Sequence, residues 1–272
     1  MKDIKLYISY KIDVMKLRSL VGKILRPRKG PDYKPPTKVK DKYHIQGSWM
    51  YVDDKDSLKL TQYGIYEPEE TALIKKLVKT NHIVLDIGAN IGYFTLIMAK
   101  QCKQVYAFEP QPRNFHTLKK NINLNQLSNV KLYNMAVAET TGEATLHLCE
   151  GIRGMHRIYP SRWYNEGKTE VETVRISDII HDADFIKMDV EGAELGALKG
   201  MKNLFNNEGI TILMEFHPPS IEEYGSKPRE IYDFMNSLGF NIKVPSRGSV
   251  SFEELEKIAI ENVGTNLICT PK

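Results

Sequence analysis

The chain has few cysteines and few long apolar runs. Its 272 residues include three cysteines, Cys102, Cys149 and Cys269, which lie far apart and form no C-x-x-C pair. This spacing argues against a disulfide framework or a zinc site and favours a reducing compartment. The most apolar stretches are short, as in Ile210 to Met214, and the first residues lack the apolar core of a signal peptide. We therefore expect a cytoplasmic protein.

Positive charge is concentrated at the start of the chain. The formal net charge of +4 is unevenly distributed along the chain, because residues 1 to 42 carry thirteen Lys or Arg against four Asp. The first 42 residues therefore sum to +9 and the remainder to −5. A basic segment precedes a mildly acidic body, which argues against a broad phosphate-binding face on the main domain.

The basic segment has the spacing of an amphipathic helix. Apolar residues at Leu17, Leu20, Val21 and Ile24 recur along one helical face, and Lys and Arg surround them. Such a helix can lie on an anionic membrane surface, or it can dock on the body of the protein. Four prolines and one glycine follow in RPRKGPDYKPPTKVK, which predicts a linker. We expect a basic helix and Pro-rich linker over 1–45, with membrane contact through 1–30 as one alternative, and a cap segment over 46–80.

From residue 81 to residue 272, strand-like and helical patterns alternate. HIVLDIG, QVYAFEP, VKLYNMAV, DFIKMDV and GITILMEF predict apolar strands, NIKV and TNLICT predict two more, and EATLHLCE and EVETVRI predict an added pair. Apolar strands that alternate with helices indicate an α/β fold with a doubly wound, mostly parallel sheet. We expect one domain over 81–272.

The segment VLDIGANIGYFT joins the first of these strands to a helix. Ligands of such sheets bind beyond the carboxyl ends of the strands, where this segment lies. Gly88 would allow a sharp turn, and Gly92 would allow close approach of the helix or of a ligand. Glu109 ends the second strand, 21 residues after Gly88. That is the usual position of an acid that accepts the ribose hydroxyls of a nucleoside.

Two common nucleotide-binding motifs are absent from this segment. The pattern G-x-G-x-x-G fails at Asn90, and no G-K-[ST] sequence is present. Asp86-x-Gly88-x-Asn90-x-Gly92 instead resembles the acidic, glycine-rich loop of class I S-adenosylmethionine methyltransferases. Asparagine in place of the middle glycine tolerates left-handed backbone angles better than most residues do. The alternative is a purely structural turn between strand and helix.

Longer segments extend this resemblance. DIGANIGYFTLIMAK, VYAFEPQPRNFHTLKKNINLN, NMAVAE, FIKMDVEGAELGALKGM and LMEFHP occur in this order and together resemble the FkbM family of methyltransferases over roughly residues 60–240. The resemblance implies a class I, Rossmann-like fold with a seven-stranded sheet. It also implies S-adenosylmethionine as cofactor, S-adenosylhomocysteine as product, and O-methylation of a sugar, glycan or related small molecule, free or lipid-linked.

The resemblance also implies where the cofactor lies. Asp86 would orient the loop through the backbone or the methionine amine, Glu109 would bind the ribose, and Met135 with the two residues after it would contact the adenine. Tyr66 and Glu67 would close over the methionine end. The expected cofactor-binding residues are Glu67, Asp86, Gly88, Ala89, Asn90, Gly92, Tyr93, Glu109, Pro110, Ala136, Val137 and Asp189.

An alcohol acceptor needs a group that takes its proton, and a positioned base contributes typically ~10²–10⁴-fold to the rate. Asp189 ends the fourth strand, and Glu215 and His217 end the fifth, where residues i and i+2 face the same way. We predict that these three side chains are catalytic, with His217 as the base and an acid that orients it. The same three could instead hold a divalent metal ion. Alternatively, His217 bonds the backbone of a loop, and Glu191 and Glu194 cap a helix.

The segment GIRGMHRIYPSRWY lies between the two added strands. Its Arg, His and Trp side chains suit stacking on a sugar and bonding to anionic groups. We therefore predict an acceptor lid that contacts the substrate through Arg153, His156, Arg157 and Trp163, with an ordinary surface loop as the alternative.

Two other functions compete with O-methylation. An RNA methyltransferase would use the basic segment, but the [DNS]-P-P-[YFW] motif of amino-group methylation is absent and the body is net negative. Nucleic acid is therefore an unlikely partner. A non-catalytic interaction module would not need the acidic loop together with Glu109.

Overall fold

The structure is a computed structural model that describes residues 37–149, 155–160, 166–245, 247–262 and 264–272. The predicted basic helix, most of the predicted linker and the proposed membrane contact lie outside these residues, so they stay predictions. Within the described ranges, no helix has both the length and the apolar character needed to cross a bilayer.

Strands and helices alternate along most of the described chain. The strands are β1 (Thr37–Val39), β2 (Lys42–Ile45), β3 (Ser48–Met50), β4 (Ile83–Ile87), β5 (Gln104–Phe108), β6 (Val130–Tyr133), β7 (Met135–Val137), β8 (Gly142–His147), β9 (Lys168–Val174), β10 (Phe185–Met188), β11 (Thr211–Phe216), β12 (Phe240–Val244), β13 (Gly248–Ser249) and β14 (Thr265–Pro271). The α-helices are α1 (Leu60–Tyr63), α2 (Pro68–Leu77), α3 (Tyr93–Ala99), α4 (Pro112–Leu124), α5 (Glu194–Gly200), α6 (Pro218–Tyr224), α7 (Pro228–Ser237) and α8 (Phe252–Asn262).

The central sheet has the strand order β13-β12-β14-β11-β10-β4-β5-β6. Strands β11, β10, β4, β5 and β6 are parallel to one another, and β14 runs antiparallel to both β11 and β12. The predicted doubly wound, mostly parallel sheet of seven strands is confirmed, and the two-residue strand β13 extends its edge. The chain order reverses between β4 and β10, where such sheets bind ligands beyond the carboxyl ends of the strands.

Apolar side chains of the central strands alternate between two cores. In β4, Val84 joins one core, and Leu85 joins the other. Helices α2, α3 and α4 contribute to the first core, and α5, α6, α7 and α8 contribute to the second. Because both faces are covered, a charged residue in these strands is buried unless it lies at the ligand edge.

The segment VKLYNMAV forms two short strands instead of the single strand predicted. Its first half, β6, completes the central sheet, and its second half, β7, pairs with β9 in a separate sheet of order β7-β9-β8. The break falls at Asn134, whose Nδ2 donates to the carbonyl oxygens of Glu109 (2.8 Å) and Pro110 (2.9 Å). The added strands β8 and β9 occur as predicted.

The cap segment begins with the antiparallel sheet β1-β2-β3, so residues 37–45 pair with the cap instead of forming linker. Two asparagine side chains at the carboxyl-terminal end of α4, Asn121 in the helix and Asn125 at its C-cap, bind the outer edge of this sheet as a neighbouring strand would. Asn125 exchanges hydrogen bonds with the backbone of Trp49 (3.0 and 2.7 Å), and Asn121 does so with Tyr51 (2.7 and 3.0 Å). Asn121 also donates to the carbonyl of Ile91 in the glycine-rich loop (2.8 Å).

Two glycines of α5 allow a matched test of helix packing. A Cβ atom at Gly200 would lie 2.0 Å from the carbonyl oxygen of Ala138, whereas a Cβ atom at Gly196 would meet no atom closer than 3.8 Å. We expect Gly200→Ala to lower the free energy of unfolding by ~1–3 kcal/mol, because the backbone must shift. Gly196→Ala should raise it by up to ~1 kcal/mol, because alanine favours the helix. Urea unfolding of both variants measures this, and equal effects would contradict the packing described.

Candidate functional site

The loop after β4 is shaped by close contacts within the chain. Gly88, Asn90 and Gly92 all have positive φ angles, of 83°, 51° and 92°. A Cβ atom at Gly88 would lie 1.9 Å from the carbonyl oxygen of Asp189, and one at Gly92 would lie 2.6 Å from Cδ1 of Leu118. The two glycines are therefore required by the end of β10 and by α4. Asn90 adopts the left-handed conformation that the sequence suggested.

Glu109 fastens this loop to the end of β5. Its Oε2 accepts from the backbone N–H of Asn90 (2.8 Å), and its Oε1 accepts from that of Gln111 (2.9 Å). Burial raises the pKa of Glu109 to about 7, although these two N–H groups oppose the rise. The Asn114 side chain bonds to Glu109 as well. A carboxylate offers about four lone-pair sites, so Glu109 can still accept a hydroxyl from a ligand.

Asp86 is fully buried beneath the loop. Its Oδ2 accepts from the hydroxyl of Thr95 at the start of α3, and its Oδ1 has no hydrogen-bond partner among the described residues. Burial raises its pKa, while Lys187 and the Thr95 bond oppose the rise. Through this bond Asp86 connects the end of β4 to α3. Its Oδ1 can still accept a hydrogen bond from an N–H group or contact a cation.

A cleft with a volume of ≈ 700 Å³ opens at the carboxyl ends of the strands. This volume suits a ligand of nucleoside size. Of the predicted cofactor-binding residues, Glu67, Gly88, Ala89, Asn90, Tyr93, Glu109, Pro110, Ala136, Val137 and Asp189 line it, as does Tyr66. Asp86 and Gly92 lie behind its wall. The three predicted catalytic residues also line it.

Three carboxylates meet in the cleft. Oxygen atoms of Asp189, Glu191 and Glu215 all lie within 4.8 Å of one another. Burial, followed by the charges of Asp189 and Glu191, raises the pKa of Glu215 well above its ordinary value. Burial and Asp189 raise the pKa of Glu191 to about 8, with Arg157 opposing. In the folded chain, burial therefore favours the protonated, neutral forms of both Glu191 and Glu215.

His217 bonds the backbone, as the alternative prediction had it. It is the N-cap residue of α6, and its Nδ1 accepts from the backbone N–H of Ser220 (3.2 Å) and lies 2.7 Å from the Ser220 hydroxyl. Burial and Arg157 lower its pKa to about 4. Because Nδ1 is an acceptor, the neutral ring carries its proton on Nε2 and can donate there. His217 is outside the group of three carboxylates, in which Glu191 takes the place predicted for it.

Lys187 was not among the predicted site residues. It lies two positions before Asp189 in β10, is buried, and places its Nζ 3.3 Å from Oδ2 of Asp189. The ammonium also lies 5.0 Å from the ring centroid of Phe94. The signal was present in the sequence, because a lysine interrupts the otherwise apolar strand FIKM.

The predicted acceptor segment is described only in part. Arg153 and Trp163 lie outside the described residues, and His156 lines the cleft. Arg157 is buried instead of facing the cleft, and its guanidinium donates to Glu223 (2.8 Å) and Glu191 (3.3 Å). Its predicted contact with the acceptor stays a prediction. The contacts observed show that residues 155–160 are fastened to the turn that bears Glu191.

The turn after β10 also binds this segment through Tyr159. The Tyr159 hydroxyl donates to the carbonyl oxygens of Glu191 (2.8 Å) and Ser220 (3.1 Å). Glu191 has a positive φ of 56° and precedes α5, which begins at Glu194. The predicted helix-capping role therefore fits Glu194, which lies in the first turn, better than Glu191, which faces the cleft.

Comparisons with known proteins agree with this geometry. A family model described as the methyltransferase FkbM domain matches residues 86–242. The chain is 27% identical over 230 residues to the methyltransferase sdnD of Sordaria araneosa, covering 68% of this chain and 87% of that protein. It is 24% identical over 184 residues to the hexuronic acid methyltransferase AglP of Haloferax volcanii, covering 65% and 71%. It is 25% identical over 194 residues to the 2-O-methyltransferase NoeI of Sinorhizobium fredii, covering 64% and 79%.

The left-handed conformation of Asn90 gives a test of the loop. Asn90→Gly keeps the N–H that binds Glu109 and relieves backbone strain, so S-adenosylhomocysteine affinity should stay within a few-fold of wild type. Asn90→Val places a β-branched residue at positive φ, which costs ~1–3 kcal/mol, so affinity should fall about tenfold or more. Titration calorimetry measures both. Equal affinity in the two variants would show that the loop conformation does not control binding.

The raised pKa of Glu215 predicts how stability depends on pH. The folded state binds this proton more tightly than the unfolded state, so wild-type stability should fall as pH rises above the ordinary value of 4.5. Glu215→Gln resembles the protonated form. We expect equal stability of the two proteins at acid pH and greater stability of the variant at alkaline pH. Urea unfolding across this range tests it, with the exposed Glu222→Gln as control, and a wild-type advantage at alkaline pH would contradict it.

Proposed function

Because the chain belongs to the FkbM methyltransferase family and is an S-adenosylmethionine-dependent methyltransferase, we propose that it methylates a hydroxyl of a sugar or related small molecule. The observation that carries this proposal is that the carboxylate of Asp189, ion-paired with Lys187, lines the polar cleft beside the glycine-rich loop. Two relatives with sugar-type names, the hexuronic acid methyltransferase and the 2-O-methyltransferase, support the same acceptor class.

The loop side of the cleft fits the cofactor. Gly88, Ala89 and Asn90 line the cleft beside Glu109, whose carboxylate can accept ribose hydroxyls. Ala136 and Val137 form an apolar surface for the adenine. When bound, S-adenosylmethionine supplies an electrophilic methyl group on a positively charged sulfur. The carboxylate-rich wall of the cleft suits that positive charge.

The opposite side of the cleft fits a neutral, hydroxylated acceptor. His156 and His217 line it together with amide and hydroxyl side chains, namely Asn262, Thr265 and Asn266. Such groups both donate and accept hydrogen bonds, as recognition of several hydroxyls requires. Residues 43–272 sum to a formal charge of −5, which disfavours the alternative of an RNA acceptor.

We assign the role of base to Asp189 in place of His217. Asp189 is ion-paired with Lys187, and its side chain is 27% exposed, so an acceptor hydroxyl can reach it. Glu215 and Glu191 already hold protons, and the free side of the His217 ring is a donor. The acceptor oxygen would form its bond to the methyl carbon as the bond from that carbon to sulfur breaks, which leaves S-adenosylhomocysteine. The proton of the acceptor hydroxyl would pass to the Asp189 carboxylate, and His217 could donate to another oxygen of the acceptor.

Incubation with methyl-labelled cofactor tests the proposal. Purified protein is mixed with fractionated cell glycans, lipids, small molecules and RNA, and we expect label in a hydroxylated sugar fraction. Asp189→Asn should lower turnover by at least ~10²-fold, with a smaller effect of His217→Gln. Glu222→Gln should match wild type.

Other outcomes would replace the proposal. Label in RNA would favour the hypothesis of an RNA methyltransferase. Cofactor binding without label in any fraction would favour a non-catalytic interaction module. Loss of activity with a chelator, restored by Mg²⁺, would show that Asp189, Glu191 and Glu215 hold a metal ion. A larger loss in His217→Gln than in Asp189→Asn would return the role of base to the histidine.

A further inference from the structure

Asn121 is a polar side chain buried inside the protein. It lies in α4 beside the core residues Leu118 and Ile122, and none of it is exposed. A buried amide is costly unless its hydrogen bonds are made. Its Oδ1 accepts from the backbone N–H of Tyr51 (2.7 Å), and its Nδ2 donates to the carbonyl oxygens of Tyr51 (3.0 Å) and Ile91 (2.8 Å). The two N–H groups of this amide therefore reach two different parts of the chain.

Both of these parts belong to the cofactor side of the cleft. Ile91 lies in the glycine-rich loop, between Asn90 and Gly92. Tyr51 directly follows β3 of the cap segment, and residues farther along this segment line the cleft, namely Lys55, Ser57, Leu58, Lys59, Tyr66 and Glu67. One buried side chain thus holds the loop that lies under the cofactor site and the segment that covers it.

One face of α4 contacts the loop at one end and the cap at the other. Leu118, Asn121 and Asn125 are spaced by three and four residues, which places them on the same side of the helix. Leu118 packs against Gly92, where a Cβ atom would lie 2.6 Å from its Cδ1. Asn125 binds only the cap, through the backbone of Trp49 (3.0 and 2.7 Å). Asn121 lies between them and binds both.

Docking of the cap does not by itself explain the position of Asn121. Asn125 makes the same pair of bonds to Trp49 that Asn121 makes to Tyr51, and it has no bond to the glycine-rich loop. The bond to the Ile91 carbonyl distinguishes the two residues. Because that bond and the cap bonds use the same amide, a shift of the loop changes the docking of the cap, and the reverse also holds.

We propose that Asn121 is a positioning residue that couples docking of the cap to binding of the cofactor. Asn121 is not among the residues that line the cleft, so it acts through the loop and the cap. A cofactor that fixes the loop strengthens the docking of the cap, and by linkage the docked cap strengthens cofactor binding by the same factor. The inference concerns the cofactor and is independent of the proposed acceptor.

Titration calorimetry with S-adenosylhomocysteine tests the coupling, with Asn125→Ala as the matched control. Both variants lose a pair of bonds to the cap, but only Asn121→Ala loses the bond to the loop. We expect the affinity of Asn121→Ala to fall ~10-fold or more and that of Asn125→Ala to stay within ~3-fold of wild type. Far-ultraviolet circular dichroism at the same temperature verifies that each variant is folded.

Hydrogen exchange provides a readout that a merely structural role would not move. The backbone N–H groups of Trp49 and Tyr51 lie outside the cleft lining, yet S-adenosylhomocysteine should slow their exchange in wild type by at least ~5-fold. This slowing should persist at Tyr51 in Asn125→Ala and vanish in Asn121→Ala. A merely structural asparagine would speed exchange in its variant with and without ligand, and the response to ligand would remain.

Several results would overturn the proposal. Equal affinities of the two variants would show that the bond to Ile91 has no effect on the cofactor. Slowed exchange that survives Asn121→Ala would show that the ligand acts on the cap directly, through the residues that line the cleft. Unchanged exchange at Tyr51 in wild type with bound ligand would exclude the coupling without any variant.

A second pair of variants covers failure of Asn121→Ala to fold. Asn121→Ser keeps a polar group in the buried position, and Asn125→Ser is its control, with the same results expected in each measurement. If no hydroxylated fraction gains label, the proposed function fails, whereas the affinity and exchange measurements need no acceptor and report on Asn121 separately.

Discussion

The close contact between Gly88 and the carbonyl of Asp189 fixes the geometry of the site. The loop after β4 and the end of β10 touch through backbone atoms, because a Cβ atom at Gly88 would fall 1.9 Å from that carbonyl oxygen. The separation between the cofactor side and the acceptor side of the cleft is therefore set by main chain, which is stiffer than side-chain packing. A second contact of this kind joins Gly192 to the carbonyl of Ser220, where a Cβ atom would lie 2.4 Å away. Methyl transfer depends on such alignment of the reacting groups.

The cleft concentrates acids that a stable core would exclude. Burial raises the pKa of Glu109 and Glu194 to about 7 and that of Glu191 to about 8. Each of these groups favours its neutral form in the folded chain, so the charge actually present is smaller than the number of carboxylates suggests. Arg157 forms an ion pair with Glu191, and Lys187 forms one with Asp189. The acids in their neutral form can act as hydrogen-bond donors inside the site.

Much of the fold followed from local patterns in the sequence. The apolar strands, their alternation with helices and the added pair β8 and β9 could be predicted, because each is encoded within a few adjacent residues. The break at Asn134 could not, because it depends on carbonyls at the end of β5. Asn90 was predicted to tolerate a left-handed conformation, and its φ of 51° confirms this.

In the functional site, as in the fold, the features set by local sequence could be predicted and those set by distant contacts could not. Asp189 and Glu215 were predicted to be neighbours, and the register of β10 and β11 with the spacing of their oxygens confirms it. The cluster also contains Glu191, whose left-handed conformation turns it away from a cap position. The backbone N–H of Ser220 donates to His217 because His217 is the N-cap of α6. Arg157 forms an ion pair with Glu223, which lies far from it along the chain. Such pairings depend on the packing of distant elements, which periodicity does not report.

The two asparagines of α4 have a consequence for how the cap can vary. On the cap, Asn121 and Asn125 bind only backbone N–H and carbonyl groups of Trp49 and Tyr51, so this docking does not depend on which side chains those two positions carry. These two positions can therefore vary while the register of the cap on the helix stays constant. The amide groups of the asparagines cannot vary in the same way. An aspartate in place of Asn121 would set a carboxylate against the carbonyls of Tyr51 and Ile91, which would loosen both the cap and the cofactor loop.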